Sequence, residues 1–241
     1  MSKYYIASCV FTPQFPELSF KIQDYVEKNF GFYVVRCCVP DYKLKEIEER
    51  MPEGKIRESW SKLADSGRFK AGDEVWSLCH NCNNIIEEVN SGVKVHSLWE
   101  LIDSDEKFPI PQYPDLNVTV QDCWRARTRS DEQKAVRSLL DKMQISWQEA
   151  PENHEKTEFC GVSLYRPQPL RNPKIAPKFY VEGAVGKFIP HTEEQQAEIM
   201  KEYCKQYKTD TVICYCHYCL EGLKFGDVDA RHLAQMLFPE L

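Results

Sequence analysis

The sequence predicts an α/β protein made of two similar units, each a small parallel sheet covered by helices. Short apolar, β-branched or aromatic runs alternate with helix-like stretches along the 241 residues. The second half also repeats the first: residues 74–102 and 211–237 each contain an apolar run, Cys-His-x-Cys, a helix-like stretch, a histidine and a second amphipathic segment. An internal duplication therefore relates the two units.

The individual elements follow from the same patterns. Apolar runs in the first half predict strands at residues 3–8, 32–36 and 74–78. Helical spacing predicts helices at 17–29, 55–66, 83–90 and 96–103. The second half gives strands at 117–122, 145–149 and 210–215, and helices at 130–143, 193–207, 218–224 and 230–238. The proline-rich residues 108–114 suit a linker, which predicts domains at 1–107 and 115–241, the second with a long loop at 161–191.

The cysteines are the main functional signal. Nine of the eleven fall into two ordered sets: Cys9, Cys37, Cys38, Cys79 and Cys82, then Cys123, Cys160, Cys216 and Cys219. Five of the nine directly follow a predicted strand, and the carboxyl ends of parallel strands converge on one crevice. Cysteines separated by two residues can bind one metal centre from a single turn. Each half is therefore expected to gather its thiolates at one metal site.

Composition limits the class of protein. The chain has no signal-peptide pattern and no apolar run near the roughly 18 residues of a membrane span, so we expect a cytoplasmic protein without a membrane span. Cysteines in a reducing compartment are more often metal-binding or catalytic than disulfide-bonded, and the odd total of eleven agrees. A net charge of -6 gives no electrostatic footprint for nucleic acid. No P-loop, dinucleotide-binding glycine pattern or serine-hydrolase elbow is present.

The complete cysteine pattern resembles the cysteine-rich CCG domain, which occurs in tandem in one of the subunits of heterodisulfide reductase and in related iron–sulfur oxidoreductases. The resemblance covers nearly the whole chain and implies two tandem Rossmann-like domains. In that family, five cysteines are implied to hold a non-cubane iron–sulfur cluster that reduces a disulfide. Some members instead carry a 4Fe-4S cluster or a zinc ion in one motif.

Both halves depart from the family pattern. The first keeps five cysteines but has Val39 after the Cys37-Cys38 pair, where the family has a glycine that lets a substrate approach closely. The second keeps Gly161 but has Phe159 in place of the first cysteine of the pair. We therefore expect a non-cubane or 4Fe-4S cluster at the first site, and a 4Fe-4S cluster or zinc at the second.

Other residues near the cysteines have competing interpretations. Arg125, Arg127 and Arg129 follow Cys123 and are candidates to bind an anionic substrate or to offset thiolate charge, or else they form a solvated helix N-terminus. His80 and His217 either assist the metal sites through a hydrogen bond or proton, or fill polar loops.

Four further residues are expected to serve packing. Cys204 lies on an amphipathic helix and Cys214 inside an apolar strand, so both are predicted to be core residues. His96 and His232 follow the two turns and are expected to pack or cap the helices there.

The resemblance implies an iron–sulfur oxidoreductase or redox subunit that transfers electrons to a disulfide- or thiol-type substrate. The centre held by Cys9, Cys37, Cys38, Cys79 and Cys82 is the candidate reactive site. Ferredoxin-type cysteine runs are absent, so electrons are expected from a donor protein or subunit. The alternative is a non-enzymatic protein-binding module stabilised by zinc or a 4Fe-4S cluster.

Overall fold

The computed structural model describes residues 1–65 and 69–239. The chain divides into two compact units, Met1–Leu98 and Trp99–Leu241. In the described part of the chain, no helix has the length and apolarity needed to cross a bilayer.

The first unit is a four-stranded parallel sheet flanked by helices. Its strands are β1 (Lys3–Ile6), β2 (Tyr33–Val35), β3 (Glu74–Ser77) and β4 (Lys94–Ser97), in the spatial order β2-β1-β3-β4. Its helices are α1 (Phe11–Gln14), α2 (Pro16–Phe30), α3 (Leu44–Glu49), α4 (Lys55–Lys62) and α5 (His80–Val89). Helix α2 starts at a proline. Gly31 follows it as the C-cap residue and has a φ of +65°, which suits a residue without a side chain.

The second unit repeats this sheet. Its strands are β5 (Asn117–Gln121), β6 (Ser146–Glu149), β7 (Thr211–Cys214) and β8 (Asp229–His232), in the spatial order β6-β5-β7-β8 with every pair parallel. The helix α6 (Leu98–Ser104) begins at the division between the units. The others are α7 (Ser130–Lys142), α8 (Arg171–Ile175), α9 (Pro177–Tyr180), α10 (Glu193–Cys204), α11 (His217–Phe225) and α12 (Leu233–Leu237).

Central strands of both sheets are buried, as parallel strands covered by helices should be. All four residues of β7 are buried, and so are Tyr5 and Ile6 of β1. The start of α10 is fixed by a capping box in which Thr192 and Gln195 exchange side-chain and backbone hydrogen bonds. The burial of these strand residues places the carboxyl ends of β1 and β7 in the interior of their units.

The predicted fold class is confirmed: two similar α/β units each contain a parallel sheet with the same strand order. The predicted strands are present within one or two residues of their expected ends. The predicted helix at 55–66 ends at Lys62, and its last residue lies outside the described part of the chain. Residues 161–191, expected to be a loop, contain α8, α9 and two short 3-10 turns.

The fourth strand of each sheet was not predicted. The sequence predicts helices that start at residues 96 and 230. In the structure, residues 94–97 and 229–232 are strands, and each pairs with the neighbouring strand at the sheet edge. Both are four residues long and carry charged, partly exposed side chains, so neither shows the apolar run that marks a buried strand. His96 and His232 therefore lie on edge strands, and not inside helices.

The proline-rich segment at 108–114 lies in the second unit. The backbone N–H of Tyr113 donates to the Met143 carbonyl at 2.8 Å, and the Tyr113 hydroxyl donates to the Met236 carbonyl at 2.9 Å. The ring of Phe108 packs edge-on against Phe238, with the ring centres 5.2 Å apart. The segment is therefore fixed to the second unit by specific contacts.

Candidate metal centre

Four cysteines of the second unit form a compact, buried thiol cluster. The sulfur atoms of Cys123, Cys160, Cys216 and Cys219 all lie within 4.8 Å of one another. The Cys123 and Cys160 sulfurs are 3.4 Å apart, and each of the four residues is at most 3% exposed. The structure thus brings together the four cysteines that the sequence assigned to the second site, and this group is able to hold a metal.

Helix α11 positions two of the four thiols. Cys216 follows strand β7 and is the N-cap residue of α11, while Cys219 lies in the first helical turn. The positive end of a helix dipole stabilises a thiolate at this position. In the first unit, α5 begins in the same way, with Cys79 at the N-cap and Cys82 in the first turn.

Gly161 brings Cys160 to the cluster by a close backbone approach. Its φ is +52°, and a Cβ atom there would overlap the Tyr218 carbonyl oxygen and lie 2.9 Å from the Cys219 Cα. Gly222 of α11 packs against the same residue, because a Cβ on Gly222 would lie 2.5 Å from the Gly161 Cα. The glycine after Cys160 was expected to leave room for a substrate, but this space is occupied by the first turns of α11.

Arg125 is the charged group closest to this cluster. Its side chain is buried, with the residue only 4% exposed, and Nη1 lies 2.5 Å from the Cys160 sulfur. The guanidinium carbon lies 5.5 Å to 5.9 Å from the ring centres of Trp124, Phe188 and Tyr218. The interpretation of Arg125 as part of a solvated helix N-terminus is therefore wrong, because aromatic rings enclose it next to a thiol.

The other two arginines of this stretch are placed differently. Arg127 is half-buried, with its guanidinium 4.8 Å from the Trp124 ring centre and Nη1 donating to the Trp124 carbonyl at 2.9 Å. Arg129 is half-buried at the N-cap of α7. The three arginines therefore have different roles, and Arg125 is the one whose guanidinium contacts the Cys160 thiol.

The electrostatic environment distinguishes Cys160 from its neighbours. Burial raises the pKa of the Cys123 and Cys219 thiols, and hydrogen bonds among the thiols add to the increase. Burial also acts to raise the pKa of Cys160, but hydrogen bonds with Cys123 and Cys219 and the charge of Arg125 outweigh it, so this pKa is lowered. Cys160 therefore carries negative charge more readily than Cys123 or Cys219 does.

A buried ion-pair network includes the residues that precede two of the cluster cysteines. Both carboxylate oxygens of Asp122 accept hydrogen bonds from Arg137, at 2.7 Å and 2.8 Å, and Arg137 also donates to Glu149. The Tyr215 hydroxyl donates to Asp122 at 2.6 Å. Since Asp122 precedes Cys123 and Tyr215 precedes Cys216, the network ties together two strand ends that carry cluster cysteines.

The same network explains a second group of candidate ligand atoms. Asp122, Glu149 and His154 lie within 4.8 Å of one another, but Arg137 forms ion pairs with both carboxylates. Although burial acts to raise the Asp122 pKa, the hydrogen bonds and charge of Arg137 lower it overall. A guanidinium thus already satisfies these carboxylates, so the group is a structural ion pair.

The five cysteines of the first set are also all buried. Hydrogen bonds join Cys9 to Cys37, Cys37 to Cys38, Cys38 to Cys82, and Cys82 to Cys79. The contact with Cys37 raises the pKa of Cys9 and Cys38, the contacts with Cys38 and Cys79 raise the pKa of Cys82, and burial raises all three further, although the contact with Cys82 acts to lower the pKa of Cys38. Neighbouring thiols of the first set are therefore in contact inside the first unit, whereas among the described cysteines only the second set has sulfurs that all lie within 4.8 Å of one another.

Polar side chains beside both Cys-x-x-Cys turns are buried. His80 and His217 are each 2% exposed and occupy the first helical position of α5 and α11, so they do not fill polar loops. Among the described residues, the His217 ring nitrogens and the Asn83 amide have no hydrogen-bond partner. A buried polar atom without a partner costs about 1–3 kcal/mol, so both positions fit a site that binds an additional group.

The remaining residues singled out in the sequence serve packing. Cys204 and Cys214 are buried as expected, and burial raises the pKa of Cys204 to about 11. The His232 ring caps α12 by accepting a hydrogen bond from the Ala234 backbone at 3.2 Å. The His96 ring stacks on Trp76, with the ring centres 4.8 Å apart.

Sequence reasoning did not identify the residues that support the cluster. Asp122, Arg137 and Tyr215 are single polar residues at positions that are far apart in the chain. Two of them immediately precede cysteines of the set, and this adjacency is the only signal in the sequence. Arg137 lies on an amphipathic helix, where a charged residue normally faces solvent.

Comparison of the chain with models of known protein families finds no match, and comparison with curated protein sequences also finds none. The functional conclusion therefore depends on the geometry of this chain. That geometry defines an α/β protein with a buried group of four thiols that could hold a metal.

We expect Arg137→Met to destabilise the protein by about 3–5 kcal/mol, because it leaves the buried Asp122 carboxylate without its partner. Urea unfolding followed by circular dichroism measures the change. Lys134→Met on the exposed face of the same helix is the control and should change stability by less than about 0.5 kcal/mol. Equal stability of the two variants would contradict the proposed role of the network.

We expect Gly161→Ala to displace Cys160 and abolish metal binding at the second cluster. Gly186→Ala is the matched control, because Gly186 also has a positive φ, of +74°, but has open space around its Cα. Both changes cost about 1–2 kcal/mol of backbone strain, and only Gly161→Ala adds about 1–3 kcal/mol of overpacking. Urea unfolding and metal content test this, and normal metal content in Gly161→Ala would refute the close-approach explanation.

Proposed function

We propose that this chain is a metal–thiolate redox protein or redox subunit with two unequal centres, one in each unit. The observation that carries metal binding is the buried cluster of four cysteine sulfurs within 4.8 Å of one another, and the five buried cysteines of the first set support the redox role. Thiols at this density select soft metal ions or iron–sulfur clusters.

For the second centre we favour a single tetrahedral ion, with zinc as the first candidate. A tetrahedral zinc site with Zn–S bonds of about 2.3 Å places its sulfurs about 3.8 Å apart. In the second cluster, the Cys123 and Cys160 sulfurs are 3.4 Å apart, and no two of the four sulfurs are more than 4.8 Å apart. The distance expected for zinc falls within this range. A 4Fe-4S cubane binds each thiolate through a different iron and therefore requires wider spacing.

For the first centre we favour an iron–sulfur cluster. Its five connected thiols exceed the four ligands that a structural zinc ion takes. The buried Asn83 amide follows Cys82 on α5 and suits a hydrogen bond to a bound group. Such a cluster supplies one-electron transfer to a disulfide- or thiol-type substrate, and this is also the activity that the CCG-domain resemblance implies.

The rest of the chain assists by placing and shielding the thiols. The strand ends and first helical turns bring the sulfurs together, and their burial excludes water from them. Electrons would come from a donor protein or subunit, because the sequence contains no ferredoxin-type cysteine run.

The second candidate function is a non-enzymatic protein-binding module stabilised by metal. The zinc-like spacing of the second cluster favours it, since a closed site with four protein ligands is typical of structural zinc. The five-thiol first set favours the redox protein. Iron and sulfide at the first set therefore discriminate between the two functions.

We expect anaerobically purified protein to contain about one zinc ion per chain, together with iron and acid-labile sulfide, and to absorb broadly near roughly 400 nm. Elemental analysis and an absorption spectrum measure this. Cys219→Ser should remove the zinc and leave the iron, whereas Cys38→Ser should remove iron and sulfide and leave the zinc.

Cys204→Ala is the control for these variants, because Cys204 is buried but belongs to neither set, and it should retain both metals. Two zinc ions without iron or sulfide, after anaerobic isolation and reconstitution, would reject the redox proposal in favour of the module. Loss of iron from Cys219→Ser would assign the cluster to the second unit.

We also expect thiol and disulfide compounds to perturb the spectrum of the first centre only. Gly161, the residue that offered space for a substrate at the second cluster, is in contact with Tyr218 and Gly222. Titration of reduced protein with small thiols and disulfides, in wild type and in Cys38→Ser, tests this. A response that persists in Cys38→Ser would move the substrate to the second centre.

A further inference from the structure

The two units differ in the residue that lies two positions after the first cysteine of each set. In the first unit, this residue is Phe11, which is fully buried. In the second unit it is Arg125, which is 4% exposed. The second unit therefore places a permanent positive charge in its interior, where the first has an aromatic side chain.

The contacts of Arg125 direct this charge to the thiol cluster. Nη1 lies 2.5 Å from the Cys160 sulfur, a charge-assisted contact, and three aromatic rings surround the guanidinium. Tyr218 lies between Cys216 and Cys219, so α11 contributes both ligands and part of this enclosure. Phe188, in the 161–191 segment, contributes another of the rings around the guanidinium.

Charge balance gives this arrangement its significance. A divalent ion with four thiolates carries a formal charge of -2, and burying such a charge is unfavourable without a compensating cation. Arg125 reduces the total to -1 within the same interior. The converse also holds, because a buried guanidinium is unfavourable unless an anion lies beside it.

We propose that Arg125 is the charge partner of the second centre, which stabilises the metal-bound tetrathiolate through its contact with Cys160. This inference rests on the proposed metal binding at the second cluster and assigns a positioning and charge-balancing role to a residue outside the ligand set. Residues that contact a metal ligand in this way typically contribute about 10–100-fold to metal affinity.

The test measures metal affinity in the full-length chain. Co(II), whose absorption reports tetrahedral thiolate ligation, is titrated into metal-free protein and then competed with Zn(II) and a chelator. The part of the signal that is absent from Cys219→Ser belongs to the second centre. Arg125→Met should weaken binding there by about 10–100-fold, because it keeps an apolar side chain of similar length but removes the charge.

Two further variants separate charge from packing. Arg125→Lys keeps the charge but loses the planar fork, so its affinity should fall between wild type and Arg125→Met. Arg127→Met is the matched control, since Arg127 stacks on the same Trp124 ring and donates to the Trp124 carbonyl. Its metal affinity should equal that of wild type. Arg125→Gln replaces the Met variant if the latter does not fold.

The stability of the metal-free protein distinguishes a charge partner from a residue that serves packing alone. A charge partner predicts that metal-free Arg125→Met is at least as stable as metal-free wild type, while the metal-bound variant is less stable than metal-bound wild type. A packing role predicts lower stability in both states and unchanged affinity in the folded protein.

The possible results separate the two proposals. Wild-type protein that binds no divalent metal at the second cluster would reject the proposed function itself. Wild type and Arg125→Met that bind metal equally tightly would overturn the role of Arg125 and leave metal binding intact. Loss of affinity in Arg127→Met equal to that in Arg125→Met would likewise overturn the specific assignment.

Discussion

The second unit depends on one constraint: thiols from three distant parts of the chain must meet in a buried space. The parallel sheet solves most of this, because the ends of β5 and β7 are neighbours and each leads directly to a cysteine. The ion pair between Asp122 and Arg137 fixes the first of these ends, and the Tyr215 hydroxyl connects the second to the same carboxylate. The cluster geometry is therefore set by hydrogen bonds one residue away from the thiols.

Cys160 reaches the cluster by another route, since it does not directly follow a strand. The absence of a side chain at Gly161 allows the Cys160 loop to contact the first turns of α11. The first unit has Val39 after its cysteine pair and gains a fifth thiol from Cys37, at the position that Phe159 occupies in the second unit. The glycine and the cysteine pair thus represent two different ways of completing a thiol cluster on the same scaffold.

Much of this arrangement was accessible from the sequence. The β-branched runs and the repeated Cys-His-x-Cys gave the fold class, three of the four strands of each sheet and the four cysteines that the structure brings together. The edge strands β4 and β8 were missed because residues 94–97 and 229–232 are short and polar. The burial of Arg137 was missed because a charged residue is normally solvent-exposed, and its pairing with a carboxylate is a tertiary interaction with no local pattern. For Arg125, the sequence offered an offset of thiolate charge and a solvated helix N-terminus as alternatives and did not decide between them.

The two units also differ in ways that favour different chemistry. The second cluster has a guanidinium beside its thiols and the buried, apolar Leu220 directly after Cys219. At the matching positions, the first unit has Phe11 and Asn83, which supply no positive charge but a buried amide that directly follows Cys82 in the chain. A buried positive charge stabilises neighbouring thiolates, whereas a buried amide without a partner among the described residues is available to hydrogen-bond a bound group. The duplicated scaffold therefore surrounds its two sets of buried thiols with different charges and polar groups.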